Sequence, residues 1–207
     1  MYLALCISVL LTFSYKLVDV LIKKRLKGME KHTVLVWAVL IIVVTPFFKA
    51  GYVFEMPTSY EKAIPIFGAV ALVNIAAARF SGYNPKGKYN ITNFIVTYPI
   101  IEEIIFRGLL LPNLKLVFTS VEVIQLFYMP VTVPVIISAL LFAICHLQYY
   151  KLSAQCIRFI VIAFFGGIIL GAITELTQSI LFALVLHIIF NGFSVIFATR
   201  YKKIKQE

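Results

Sequence analysis

Six side chains in this 207-residue sequence can do acid–base or hydrogen-bonding chemistry from within otherwise apolar stretches. Three fall close together in Ile101-Glu102-Glu103-Ile104-Ile105-Phe106-Arg107-Gly108. A charged group at the centre of a membrane helix costs about 2.5–3.5 kcal/mol even on the lenient insertion scale, so three together need something to hold them. On a helix Glu103 and Arg107 are i,i+4 neighbours that share a face and can pair. Glu102 is turned about 100° away, toward the face of Phe106, which leaves its carboxylate available. Further on, Phe142 and His146 share a helix face in Phe142-Ala143-Ile144-Cys145-His146. His187 and Asn191 stack one turn apart in His187-Ile188-Ile189-Phe190-Asn191. The third histidine, His32, falls in a basic loop and reads as solvated.

Each membrane histidine, taken alone, reads as a hydrogen-bonded packing residue. If the faces converge, they enclose a carboxylate, two imidazoles and an amide, a set suited to hydrolysis by water. Glu102 can take a proton from water and pass it to a leaving amine. One imidazole can orient the water, while the other imidazole and the amide can donate to the oxyanion that forms at the attacked carbonyl. Two histidines and a carboxylate are equally a hydrolytic zinc set. The helical H-E-x-x-H signature is missing, as is the serine nucleophile motif G-x-S-x-G. The cofactor requirement therefore stays open between none and a Zn2+ at the Glu/His site.

The elements that must position these groups are membrane helices. Apolar residues make up 61% of the chain, charged residues 14%, and mean hydropathy is +0.97. Soluble domains are nearer half apolar and one quarter charged. Seven apolar runs, near 2–22, 34–50, 63–80, 91–111, 131–150, 157–173 and 180–199, approach the ~20 residues that cross the hydrocarbon. The first reads as a retained helix, because it has no basic n-region and no cleavage site. Residues 112–130 are less apolar and bounded by prolines, and they read as an interfacial helix, a broken span or a re-entrant piece. The expected fold is an all-α polytopic bundle of seven, or with that segment eight, membrane helices. It forms one integral membrane domain over 1–207, with the motif-bearing core helices at 91–199.

Net charge is +10, but the lysines and arginines cluster at the ends of apolar runs, as in Lys23-Lys24-Arg25-Leu26-Lys27 and Arg200-Tyr201-Lys202-Lys203-Ile204-Lys205. That is the pattern of anchors facing anionic lipid, not of a solvated nucleic-acid-binding face. The alternation of basic and poor loops places the N-terminus outside and the C-terminus in the cytoplasm. Cys6, Cys145 and Cys156 form no C-x-x-C pair and read as small apolar fillers. Gly167 and Gly171 make a G-x-x-x-G pair that suits close helix packing. With these boundaries His146 comes out roughly 10 Å deeper than Glu102 and His187 at 1.5 Å rise per residue.

E-E-x-x-x-R at Glu102-Glu103…Arg107, F-x-x-x-H at Phe142…His146 and H-x-x-x-N at His187…Asn191 occur in that order on successive helices. This resembles the CPBP family of intramembrane endopeptidases (CAAX proteases and bacteriocin-processing enzymes, also called the Abi family), over about residues 95–195. The resemblance implies a CAAX-type peptide hydrolase in which Glu102 is the general base and His146 helps hold the water. His187 and Asn191 would form the oxyanion hole, with Glu103 and Arg107 as a supporting pair. The family has been described both as metal-dependent and as glutamic. The compact length looks like a prokaryotic cell-membrane member acting on leader, bacteriocin or signalling peptides. The competing expectation is a non-catalytic immunity or regulatory protein that binds a peptide or membrane partner in the same cavity.

Overall fold

Apolar side chains cover much of the outer surface, with Leu72 and Phe165 more than half exposed, whereas Glu103 and Arg107 are wholly buried. A distribution this inverted is stable only when the outer solvent is hydrocarbon. The computed structural model describes residues 2–48, 51–119 and 121–204, the last four as backbone. Helices α1 (Tyr2–Thr12), α2 (Ser14–Arg25), α3 (Thr33–Val44) and α4 (Tyr60–Ala78) precede the motif-bearing half. A long composite helix α5 follows over 88–115, then a hairpin of β1 (Glu122–Leu126) and β2 (Met129–Thr132). Helices α6 (Val133–Cys145), α7 (Ala154–Thr177) and α8 (Leu181–Ile204) complete the bundle. Among the described residues, four helical stretches are each long and apolar enough to cross a bilayer, and the bent α1–α2 pair would make a fifth.

The first expected span is two helices bent by 56° at Phe13. The cause is local. Ser8, Thr12 and Ser14 hydroxyls bond back to carbonyls of Ala4, Ser8 and Leu11, which weakens and bends the ladder. The rung from Lys16 N to Thr12 O is replaced by the amide of Gln148, which accepts from Lys16 N at 2.9 Å and donates to Thr12 O at 2.7 Å. A side chain inserted in the ladder is a recognised source of a sharp kink.

Composite α5 alternates ordinary turns with two wide π turns, Asn93–Thr97 and Ile104–Leu110. In each, the closing N–H reaches back five residues: Tyr98 to Asn93 O, and Leu111 to Phe106 O. The residue after each closing N–H is a proline, Pro99 or Pro112, which has no N–H to continue the ladder. The first wide turn takes Tyr98 N away from Phe94 O, and Pro112 withholds the N–H that Gly108 O would otherwise accept, so both carbonyls are left for other elements. Phe94 O receives Asn191 Nδ2 at 2.7 Å, and Gly108 O receives Tyr52 N at 2.9 Å.

Several expectations are corrected. Residues 112–130 hold no interfacial, broken or re-entrant membrane helix among the described residues; α5 ends there and the antiparallel hairpin follows. Its β-branched residues, Val123, Ile124, Val131 and Thr132, favour strand. The turn at Phe127-Tyr128 has positive φ at both residues, as a two-residue hairpin needs, yet has neither the glycine nor the asparagine that normally announces it. The break at Phe13 divides the first run in two and adds no crossing. The fifth run ends its α-helix at Cys145 and closes in a 3-10 turn, His146–Gln148. In the second run α3 ends at Val44 with a 3-10 turn to Phe47, and its expected end at Ala50, like Lys49 and Lys205, lies outside the described residues. Gly167 and Gly171 face Ala139 and Val135 so closely that a Cβ would crowd them, and this seats α7 on α6.

Candidate active site

The three motifs meet on α5, on α6 with the turn that follows it, and on α8. Glu102 and Glu103 come from the ordinary turn Tyr98–Glu103, and Arg107 comes from the wide turn that follows. Arg107 Nη1 lies 2.9 Å from Glu103 Oε1, both side chains essentially without solvent. The guanidinium also donates to Gly167 O on α7 at 3.2 Å and lies 4.4 Å from the centre of the Phe142 ring. Burying one cation on an anion, a carbonyl and an aromatic face offsets much of its desolvation.

His187 joins this network from α8. Its Nδ1 is 2.8 Å from Glu103 Oε1, while its Nε2 is 3.8 Å from Glu102 Oε2. Glu103 thus holds both Arg107 and His187, and Glu102 stays outside that pairing. Sequence spacing anticipated the Arg107 contact but not the His187 contact, which depends on a helix 84 residues away.

Two acceptors settle the imidazole tautomers. His146 Nδ1 lies 3.0 Å from Phe142 O, and a carbonyl can only accept, so Nδ1 carries the hydrogen. The Glu103 carboxylate does the same for His187 Nδ1. In the neutral form each ring therefore offers an unprotonated Nε2. Asn191 gives one amide hydrogen to Phe94 O and keeps a second.

Glu102, His146, His187 and Asn191 line one cavity of about 350 Å³ that runs outward past Tyr98 and Tyr149 to Lys16, Asp19 and Lys23 on α2. The expected depth offset does not separate them. Tyr52 helps to set the common level, since its N–H bonds Gly108 O on α5 and its carbonyl receives Ile180 N, which leads into α8. Glu102 lies six residues before Gly108 and His187 seven after Ile180, on the same side of that tie. Phe142 packs edge-on against both His146 and His187, with ring centres 5.2 and 5.9 Å away. A second cavity of about 300 Å³ shares His146, His187 and Asn191 and is otherwise largely apolar, lined from α4 and α7 by Val73, Ala77, Phe159 and Phe165.

The tautomers are those of metal-bound histidines, with Nδ1–H tied to a carboxylate or carbonyl. The spacing is not: no three His, Cys, Asp or Glu side chains among the described residues converge closely enough to ligate one ion. The residues as arranged do not fit a zinc site, and no step below is routed through a metal. Sequence reading passed over Gln148, Pro99 and the Phe94 carbonyl, each of which touches the motif residues or the turns that carry them. Proline at a fixed offset after each π turn was the visible signal.

Apolar helices around a buried carboxylate–imidazole cavity define an integral membrane protein of the hydrolase type. Residues 86–193, just over half of the chain, match the family model of the type II CAAX prenyl endopeptidase Rce1-like proteins. The chain belongs to that family of CAAX-type intramembrane proteases, as the three ordered motifs implied. No curated protein and no solved structure matches it.

Proposed function

We propose that this chain hydrolyses a peptide bond within the membrane, using a water activated by Glu102. The observation that carries the reading is the division of labour between neighbouring glutamates. Glu103 is committed to Arg107 and His187, whereas Glu102 faces the cavity with His187 Nε2 at 3.8 Å. A water beside Glu102 can donate one hydrogen to the carboxylate and the other to an Nε2 of His146 or His187. Glu102 takes the proton as the water oxygen attacks the substrate carbonyl. The oxyanion then meets the second amide hydrogen of Asn191, and His187 Nε2–H where that ring is protonated. Glu103, across the ring, stabilises that imidazolium. Collapse breaks the C–N bond, and Glu102 delivers its proton to the departing amine.

The apolar cavity between α4 and α7 suits a substrate with an apolar segment, and the passage toward Lys16 and Lys23 leads to the basic end of α2. Counting α1–α2 as one rod and α5 as another gives seven rods. The loop charges support seven crossings, an outside N-terminus, a cytoplasmic C-terminus and a cavity mouth on the cytoplasmic side. A prokaryotic cell membrane and a leader, bacteriocin or signalling peptide fit this arrangement.

The test is cleavage of a peptide library, with farnesylated CAAX peptides included, by purified protein in proteoliposomes. Glu102→Gln, His146→Ala and His187→Ala are each expected to abolish cleavage while inserting normally; parental activity in Glu102→Gln overturns the reading. A chelator is expected to leave the rate unchanged. Loss that zinc restores would transfer the chemistry to a metal.

A further inference from the structure

The segment 51–58 enters the bundle between the two helices that carry the acid and the imidazole. Tyr52 N donates to Gly108 O on α5 at 2.9 Å, and Tyr52 O receives Ile180 N at 3.3 Å. One residue thus bonds both sides through its backbone. Thr58 adds two bonds to Thr177 O at the end of α7, from its N at 2.7 Å and its Oγ1 at 3.0 Å. Lys115 Nζ, held by Glu175 on α7, also reaches Tyr52 Oη at 2.9 Å. Gly108 O is free for this use because residue 112, its ordinary helical partner, is a proline.

The approach is close. A Cβ on Gly108 would fall well inside contact distance of Val53 Cγ2, and one on Gly51 would come within 3.1 Å of Gly108 O. Glycine at 108 is therefore required by the wedge and not by its own backbone, which is helical with no positive φ.

We infer that segment 51–58 is a positioning wedge: the Tyr52 backbone fixes the level of α5 against α8, and Gly108 is the seat that admits it. The inference rests on the catalytic reading of Glu102 and His187, and none of the wedge residues touches the cavity that those two line. Its energetic leverage is geometric, since a displacement of about 1 Å at a reacting group can cost on the order of a hundredfold in rate.

The experiment is a steric rescue in the proteoliposome assay, with a peptide that the parent cleaves. Gly108→Ala is expected to lower kcat by roughly tenfold or more with KM within about twofold, because ground-state binding is untouched. Val53→Ala, which removes the methyl that the new Cβ would strike, is expected to stay within about threefold of the parent. The double variant Val53→Ala/Gly108→Ala is expected to recover most of kcat, and to recover folding where Gly108→Ala alone does not fold. Parental kcat in Gly108→Ala, or a double variant no better than Gly108→Ala, overturns the inference. Glu102→Gln run alongside keeps the failures distinct: full activity there removes the catalytic assignment, whereas the rescue between positions 53 and 108 succeeds or fails by itself.

Discussion

His187 Nδ1 lies 2.8 Å from Glu103 Oε1, the oxygen that Arg107 Nη1 reaches at 2.9 Å. One carboxylate oxygen therefore orients the imidazole and neutralises the guanidinium, and the adjacent Glu102 is left for chemistry. The two glutamates should respond differently to the same substitution. Glu102→Gln is expected to cost about 10²–10⁴ in kcat, the usual share of an acid–base group, with the thermal midpoint unchanged or raised. Glu103→Gln puts an amide where two donors need an acceptor charge, so it should lower the midpoint as well as the rate. Paired thermal and kinetic measurements decide; a stable, inactive Glu103→Gln beside an unstable, active Glu102→Gln would exchange the roles.

Arg107 is wholly buried, and its removal leaves Glu103 as an uncompensated charge. Breaking one side of such a pair typically costs about 3–5 kcal/mol. Arg107→Met should therefore be strongly destabilised, and Glu103→Gln/Arg107→Met should be less so, since the stranded charge is gone. A double-mutant cycle in detergent, read by thermal unfolding, gives the coupling directly. Additive losses would show that the contact carries no energy of its own.

Much of the candidate site was legible because i,i+4 spacing is a property of any helix. It joined Glu103 to Arg107, Phe142 to His146 and His187 to Asn191 before any tertiary contact was known. It also separated Glu102 from the Arg107 pairing. What spacing cannot carry is the relation between helices, so the bond from His187 to Glu103 was not visible. The hairpin was hidden for another reason: Phe127 and Tyr128 adopt positive φ without the residues that favour it. The bend at Phe13 was hidden because part of its cause, Gln148, lies more than 130 positions away. The prolines at 99 and 112 were in plain sight, but their meaning depended on which groups took the carbonyls left free there.

Gln148 joins the kinked N-terminal pair to the turn that begins with His146, since its amide replaces the missing rung between Lys16 N and Thr12 O. Gln148→Leu keeps the bulk but removes both bonds to the backbone. Water can replace the exposed bond at Lys16 N, but Thr12 O is partly buried and the turn loses its tether, so stability should fall modestly and kcat should fall with KM little changed. Gln148→Glu should do no better, because it can still accept from Lys16 N but sets an oxygen against Thr12 O. Parental stability and rate in Gln148→Leu would mean that the bend holds without this bridge.

Pro99 offers a case in which stability and activity should move in opposite directions. Tyr98 N, the ordinary partner of Phe94 O, is diverted to Asn93 O, Pro99 has no N–H to offer in its place, and the free Phe94 carbonyl takes Asn191 Nδ2 at 2.7 Å. Pro99→Ala supplies an N–H that can extend the wide i−5 register onto that carbonyl, and it removes a helix-interior proline, whose intrinsic cost is about 3 kcal/mol relative to alanine. The thermal midpoint of Pro99→Ala should therefore hold or rise. The Asn191 amide, no longer fixed, should lose its alignment with the oxyanion, and kcat should drop by roughly tenfold or more, within the range for one misaligned donor. Asn191→Ala serves as the contrast, because it removes the donor and strands the carbonyl, lowering both quantities. If Pro99→Ala is more stable and fully active, the released carbonyl has no part in positioning Asn191.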